Sequence, residues 1–270
     1  MPTIPGFWDV GPHAPLDVEA TWREFVQGGG GSIVEDLLPN PRTFENADFL
    51  FQDAAVIAEL KEVATEFGSS AAFAAGFDKL MSKVLLENPG WKPALFGGRE
   101  PLPDWFGYEF VRLFRPPISR ILKKANRQLR DTKAHFKVAE ATGTLLFVND
   151  GFTGIGPEPV RALAANLLQN SYSSIDCFVY LTVNRYVEIA GSDVPCLLWA
   201  PVYSDRAPPW LVDFVNALGS AWFSFLEGKI GPFTIPNVPV ESAAVLHGSK
   251  PIVLPAPHDS YRRRIVPPRR

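Results

Sequence analysis

Cysteine is nearly absent from the 270 residues: Cys177 and Cys196 are the only two. Two are too few to staple a chain of this size or to build a zinc site alone. Histidine is almost as rare, and His13, His135, His247 and His258 share no ligand spacing. Long apolar runs are missing as well. Runs such as 144–148 and 177–183 fall far short of the roughly 20 residues that a membrane span needs. Residues 1–10 hold Pro2, Pro5 and Asp9 and no basic leader, so the expectation is a cytoplasmic protein with no membrane partner. Charge of one sign is not in excess either. The formal net charge is −3, which makes no global electrostatic case for a nucleic-acid partner. No G-x-S-x-G elbow is present, and the glycine run 28–31 lacks the lysine and Ser/Thr of a phosphate loop. A hydrolase triad and a P-loop are therefore unsupported.

What is present is a core. Hydrophobic residues make up 46% and charged residues 20%, enough to exclude a disordered chain. The length fits one large domain or two small ones. The charges are also unevenly placed. Residues 112–137 carry nine Lys/Arg against the single acidic Asp131, and 262–270 adds five arginines. An acidic average can hide a basic surface.

Along the chain, 1–15 reads as an irregular lead-in and 16–27 as a helix with Leu16, Ala20, Trp22 and Phe25 facing inward. Ser32 to Glu35 starts a short turn of helix, in which Ser32-x-x-Glu35 has the form of a capping box. Two strands follow, 47–51 and 54–61, joined at Gln52-Asp53. Segment 62–117 reads as an insertion, helical over 71–86 and loop over 88–104. Residues 118–142 give the clearest helix, with an apolar stripe of Ile121, Ala125, Leu129, Thr132, Phe136 and Ala139, stopped at Gly143. A strand (144–149), a helix (159–169), two core strands (176–183 and 196–202) and a helix (210–226) complete the series. Cys177, Phe178 and Trp199 read as core residues. This mixed order with a helix–strand crossover predicts an α/β fold. The core spans 16–205, and a C-terminal extension, 206–270, ends in a basic Pro-rich tail.

The hairpin carries the chemistry. Strand alternation places Glu59 and Lys61 on the face of Ile57, with Val56, Ala58 and Leu60 on the other. Asp48 shares its face with Leu50. Charges placed where apolar neighbours predict burial are costly unless paired or bound to metal. Asp48 and Glu59 brought together would repel, and a hard divalent cation relieves that.

With Asp48, Glu59-Leu60-Lys61 and the preceding Glu35, the chain resembles the PD-(D/E)XK nuclease superfamily, whose fold is restriction-endonuclease-like. Asp48 matches the motif's aspartate and Glu59-x-Lys61 its (D/E)XK. Glu35 matches the glutamate that several branches place on the first core helix, and Gln128 resembles the glutamine of branches with a Q-containing helix. The resemblance covers roughly 16–150, and more loosely reaches 202. Ala47 stands where the motif has proline, and no tyrosine follows Gln128 four residues on.

The resemblance implies an αβββαβ core with a mixed sheet, a helical insertion and a C-terminal extension. It implies a Mg²⁺- or Mn²⁺-dependent enzyme that hydrolyses phosphodiester bonds, in DNA more than RNA. Asp48 and Glu59 would hold the metal, with Glu35 directly or through water. Lys61 would orient or deprotonate the attacking water, or stabilise the transition state, and Gln128 would support the site or touch substrate. Arg120, Lys123, Lys124, Arg127 and Arg130 share one side of the long helix and would bind nucleic-acid phosphates. A prokaryotic defence or mobile-element setting, a protein partner supplying specificity and a homodimer are all consistent with the family.

The residues leave other readings open. Glu59 and Lys61 can pair at the end of a surface strand, Glu35 can serve the capping box, and the basic residues can be a solvated helix face. The alternative functions are a non-catalytic binding or scaffolding subunit of the same fold and an unrelated α/β protein with structural hairpin charges.

Overall fold

The computed structural model describes residues 13–39, 44–188, 195–233 and 250–251. Most of the 1–15 lead-in and the arginine-rich tail lie outside the described residues. Helix α1 (Val18–Gly28) begins where the Asp17 side chain accepts the Ala20 N–H at 2.9 Å, satisfying one of the amides that a helix start leaves open. After it come β1 (Ser32–Ile33), the single-turn helix α2 (Val34–Leu37), β2 (Phe49–Phe51) and β3 (Val56–Val63). The insertion holds α3 (Ala71–Glu87) and α4 (Asp104–Arg112). Next are α5 (Arg115–Phe136), β4 (Thr142–Asn149), α6 (Pro157–Asn170), β5 (Cys177–Leu181), β6 (Arg185–Glu188), β7 (Pro195–Cys196), β8 (Trp199–Tyr203), α7 (Trp210–Ile230) and β9 (Lys250–Pro251).

Six strands form one open mixed sheet in the order β1-β2-β3-β4-β5-β8. β2 runs antiparallel to both β1 and β3; β3, β4 and β5 run parallel, and β8 returns antiparallel. A small second sheet orders as β7-β6-β9. The chain is thus α/β. Every residue of β4 is buried, as expected of a central parallel strand covered on both faces.

The period-2 alternation sorts the side chains into two cores. Leu50, Ile57, Leu145, Phe147 and Phe178 pack with Ile118, Leu122 and Leu129 of α5 and Val160 and Ala164 of α6. Phe49, Val56, Ala58, Leu60 and Leu146 pack with Trp22 of α1 and Leu211, Val215 and Trp222 of α7. Trp22 and Trp222 stack at 4.1 Å between ring centroids, 11° from parallel, a pair that adds about 0.5–1.5 kcal/mol beyond its buried area. Helix α7, read from sequence as part of an extension, closes this second face. No helix among the described residues is long and apolar enough to cross a membrane.

Several expectations need correction. Ser32 is not a helix cap: it lies in β1, and α2 starts after Ile33 with no side-chain cap hydrogen bond, because Ser32 and Ile33 pair with Leu50 and Phe49. Helix α5 stops at Phe136, where Lys137 takes a left-handed φ of 56°, so Ala139 is not part of its stripe. Its buried face includes Ile118, Leu122 and Gln128, while Ile121 is only half-buried. Gly143 does not end a helix but sits inside β4, where a Cβ would come within 1.9 Å of the Ser174 carbonyl oxygen. Segment 88–104, read as loop, leads into a second insertion helix, α4.

Candidate active site

Asp48 stands at the head of β2, where its backbone is anchored on both sides. Its N–H donates to the Ala58 carbonyl at 3.2 Å, and its own carbonyl accepts the Val34 N–H at 2.9 Å. The hairpin register pairs Phe49 with Ala58, so the next position brings Asp48 alongside Glu59. Because β2 is short, the amides of β3 beyond Ala58 run past it. The Asp48 side chain fills the first gap: its Oδ2 accepts the Leu60 N–H at 2.7 Å.

Glu59 has no exposed surface, yet it lies on a polar cluster. Lys61, two residues on and on the same face, donates its ammonium to Glu59 Oε1. Oε2 of Glu59 is buried and meets no N–H or hydroxyl donor; the Glu59 carboxyl's own proton is shared with the neighbouring Asp48 carboxylate. Burial, then the nearby Asp48 carboxylate, push the Glu59 carboxyl up to about 8, with Lys61 pulling the other way. Burial also raises Asp48 above its ordinary range, opposed by the Leu60 N–H and Lys61. Two carboxyls that resist ionising side by side form a place where an added positive charge is worth most.

Asp48 opens into a cleft of about 430 Å³ at the edge of the sheet, walled by Glu19 and Arg23 of α1, Glu35 of α2, and Lys124 and Gln128 of α5. Glu35 is brought to the same cleft as Asp48, but its carboxylate meets Arg23 at 3.2 Å and is 42% exposed. Gln128 is 7% exposed. Its Nε2 donates to the Asn46 carbonyl at 2.9 Å, and its Oε1 is buried with no partner. Among the described residues no group of three or more His, Cys, Asp or Glu side chains is arranged to hold a metal ion.

The basic face of α5 is divided. Arg120, Lys123, Lys124, Arg127 and Arg130 are all exposed, but only Lys124 lines the cleft. Arg127 pairs with Glu45 at 2.5 Å and Arg130 with Asp131 at 2.9 Å. The paucity of acidic residues along the helix sequence does not carry over to space, because Glu45 arrives from a segment 82 positions away. Sequence reasoning also missed Glu19 and Arg23. Their signal was available, since α1 was foreseen and both lie on its polar side, but nothing in a linear reading brings α1 to the cleft.

The arrangement sets two carboxyls side by side, an ammonium against one of them, and a cleft that Asp48 and Lys124 both line. No protein-family model matches the chain, and no curated protein or solved structure matches it.

Proposed function

We propose that the chain is a metal-dependent nuclease that hydrolyses phosphodiester bonds, in DNA more than RNA, with Asp48, Glu59 and Lys61 as its catalytic residues. The observation that carries this reading is the Asp48–Glu59 pair, two carboxyls buried side by side, each pushed up by burial, while Lys61 sits against Glu59 Oε1. The element order α1-β1-α2-β2-β3-α5-β4, once the α3–α4 insertion is set aside, and the parallel β3–β4 pair also support a restriction-endonuclease-like core.

The residues fit a hard divalent cation. Asp48 and Glu59 offer oxygen donors, and Mg²⁺ characteristically takes one or two carboxylates and fills its shell with water and substrate oxygens. Glu35 and Glu19, on the same cleft wall, would reach the ion through water. When bound, Mg²⁺ or Mn²⁺ lowers the pKa of a coordinated water and neutralises charge on the reacting phosphate. Glu59 must give up its proton to serve, and Lys61 holds the ionised carboxylate in place. The same ammonium then lies where negative charge accumulates in the transition state. Lys124 meets a flanking phosphate at the cleft mouth, with Arg120 and Lys123 continuing the positive surface along α5. Arg127 and Arg130 join it only after leaving their carboxylate partners.

The test is cleavage of supercoiled plasmid, linear duplex and single strands by purified protein with Mg²⁺, Mn²⁺ or EDTA. Cleavage that requires metal and is lost in folded Asp48→Ala and Lys61→Ala supports the reading. A folded protein that cleaves none of these substrates overturns it. The non-catalytic alternative is favoured by one observation, the existing Lys61–Glu59 contact, which satisfies half of the carboxyl without any metal.

A further inference from the structure

Three consecutive residues ahead of Asp48 are tied to α5. Glu45 meets Arg127 at 2.5 Å, the Asn46 carbonyl accepts from Gln128 at 2.9 Å, and the Ala47 N–H donates to Thr132 Oγ1 at 2.8 Å. The first contact is exposed and contributes little. The last is different. Ala47 and Thr132 are both fully buried, and β2 begins only at Phe49, so no strand partner takes the Ala47 amide. A buried N–H without an acceptor is strongly disfavoured. Inside a helix a threonine hydroxyl commonly bonds its own backbone one turn back. Thr132 Oγ1 instead accepts from a residue 85 positions earlier.

We infer that Thr132 is a positioning residue for the site, its hydroxyl fixing the Ala47 amide so that the adjoining Asp48 carboxylate is aimed at Leu60 and Glu59. The inference rests on the nuclease reading for its catalytic consequence, but the clamp itself can be read without activity. Asp48 Oδ2 is the acceptor for the Leu60 N–H, so the Leu60 amide reports where the carboxylate points. A hydroxyl that only satisfied the Ala47 amide would protect Ala47 and leave Leu60 indifferent. A clamp that aims Asp48 protects both. Displacements of about 1 Å at a catalytic group can cost about 100-fold in rate, which is the reach expected of such a device.

The experiment compares the full-length chain with Thr132→Val, which keeps the shape and removes the acceptor, and Thr132→Ser, which keeps the hydroxyl. Amide hydrogen exchange at Ala47 and Leu60 is measured alongside kcat and KM on supercoiled plasmid with Mg²⁺. Thr132→Val is expected to speed exchange about tenfold at both amides while β4 and β5 amides hold. Its kcat should fall about 100-fold with KM unchanged, and Thr132→Ser should restore Leu60 protection and kcat together. Leu60 protection and kcat at wild-type levels in folded Thr132→Val would overturn the inference. Should the valine variant fail to fold, the serine variant decides: loss of Leu60 protection or kcat with the hydroxyl retained would also overturn it. If the wild-type chain cleaves nothing yet Thr132→Val still frees Leu60, the nuclease reading fails and the clamp stands. If both chains cleave equally, the clamp fails and the reading stands.

Discussion

Lys61 holds one oxygen of Glu59, two residues before it on the same face of β3, and leaves the other buried beside the Asp48 carboxyl with no cationic partner. A carboxyl paired with a cation on one side only is sensitive to pH, and the direction follows from its surroundings. Burial raises Glu59 from an ordinary 4.5 to about 8. Between those values the folded chain keeps a proton that the unfolded chain releases, so this group's contribution to stability is present below about 4.5 and is lost as pH rises through about 8. In EDTA, Glu59→Gln should remove that slope. Its melting temperature should match wild type near pH 4 and exceed it above pH 8, by about 2–4 °C per kcal/mol for a chain of this size. Melting curves of the two proteins that stay parallel from acid to alkaline pH would contradict this.

Under the proposed nuclease reading, Lys61 on β3 and Asp48 beside β2 have separable roles. Lys61→Met should lower cleavage about 100- to 1000-fold and leave Mn²⁺ binding measurable by calorimetry, since both carboxyls remain. Asp48→Asn should lose cleavage and Mn²⁺ binding together. Binding that survives unchanged in Asp48→Asn would remove Asp48 from the ligand set.

Because Arg127 is engaged with Glu45, the substrate affinity of α5 should be restrained in the resting protein. The Arg127 guanidinium hydrogen-bonded to Glu45 holds its carboxyl below the ordinary range. Glu45→Gln should free Arg127, raise affinity for DNA and steepen the salt dependence by about one unit of log–log slope. Lys124→Ala should do the reverse. Fluorescence anisotropy against a labelled duplex across a salt series measures both, and a Glu45→Gln slope equal to wild type would argue against phosphate contact by Arg127.

Gly143 sets the spacing between β4 and the segment before β5. Its N–H donates to Asp176 Oδ2 at 2.8 Å and its carbonyl accepts from the Asp176 N–H at 2.7 Å, a closeness that leaves no room for a Cβ. Gly143→Ala should destabilise the fold by about 1–3 kcal/mol, read as a lower urea midpoint with unchanged slope.

The hairpin was legible because alternation is a local rule: with Ile57 inward, Glu59 and Lys61 had to share its face, and they do. The strand run 144–149 was legible for the same reason, since a short apolar β-branched and aromatic segment after a long helix has few other destinations. What failed was non-local. Ser32 pairs with Leu50, and that pairing outcompetes a capping box that looked complete in the linear sequence. Glu45 reaches Arg127 only because the chain ahead of β2 lies along α5. Glu19 and Arg23 join the cleft through the packing of α1 against the sheet edge, for which no spacing rule exists. The end of α5 was placed six residues late because Lys137, a residue without special helix-ending character, adopts the left-handed turn that glycine usually supplies.

The insertion is built to a different standard from the sheet. Of the 17 residues of α3, only Leu80 and Val84 are buried, and Leu86, Leu95 and Phe96 are more than 70% exposed. The cluster of Phe73, Phe77, Phe110 and Phe114 ties one end of the insertion to the core, and the opposite end, around 86–96, opens at lower free energy than the strands beneath it. Limited proteolysis should therefore nick the chain between α3 and α4 ahead of the strands of the central sheet, leaving a pair of fragments that stay together through β3 and β4 and melt as one.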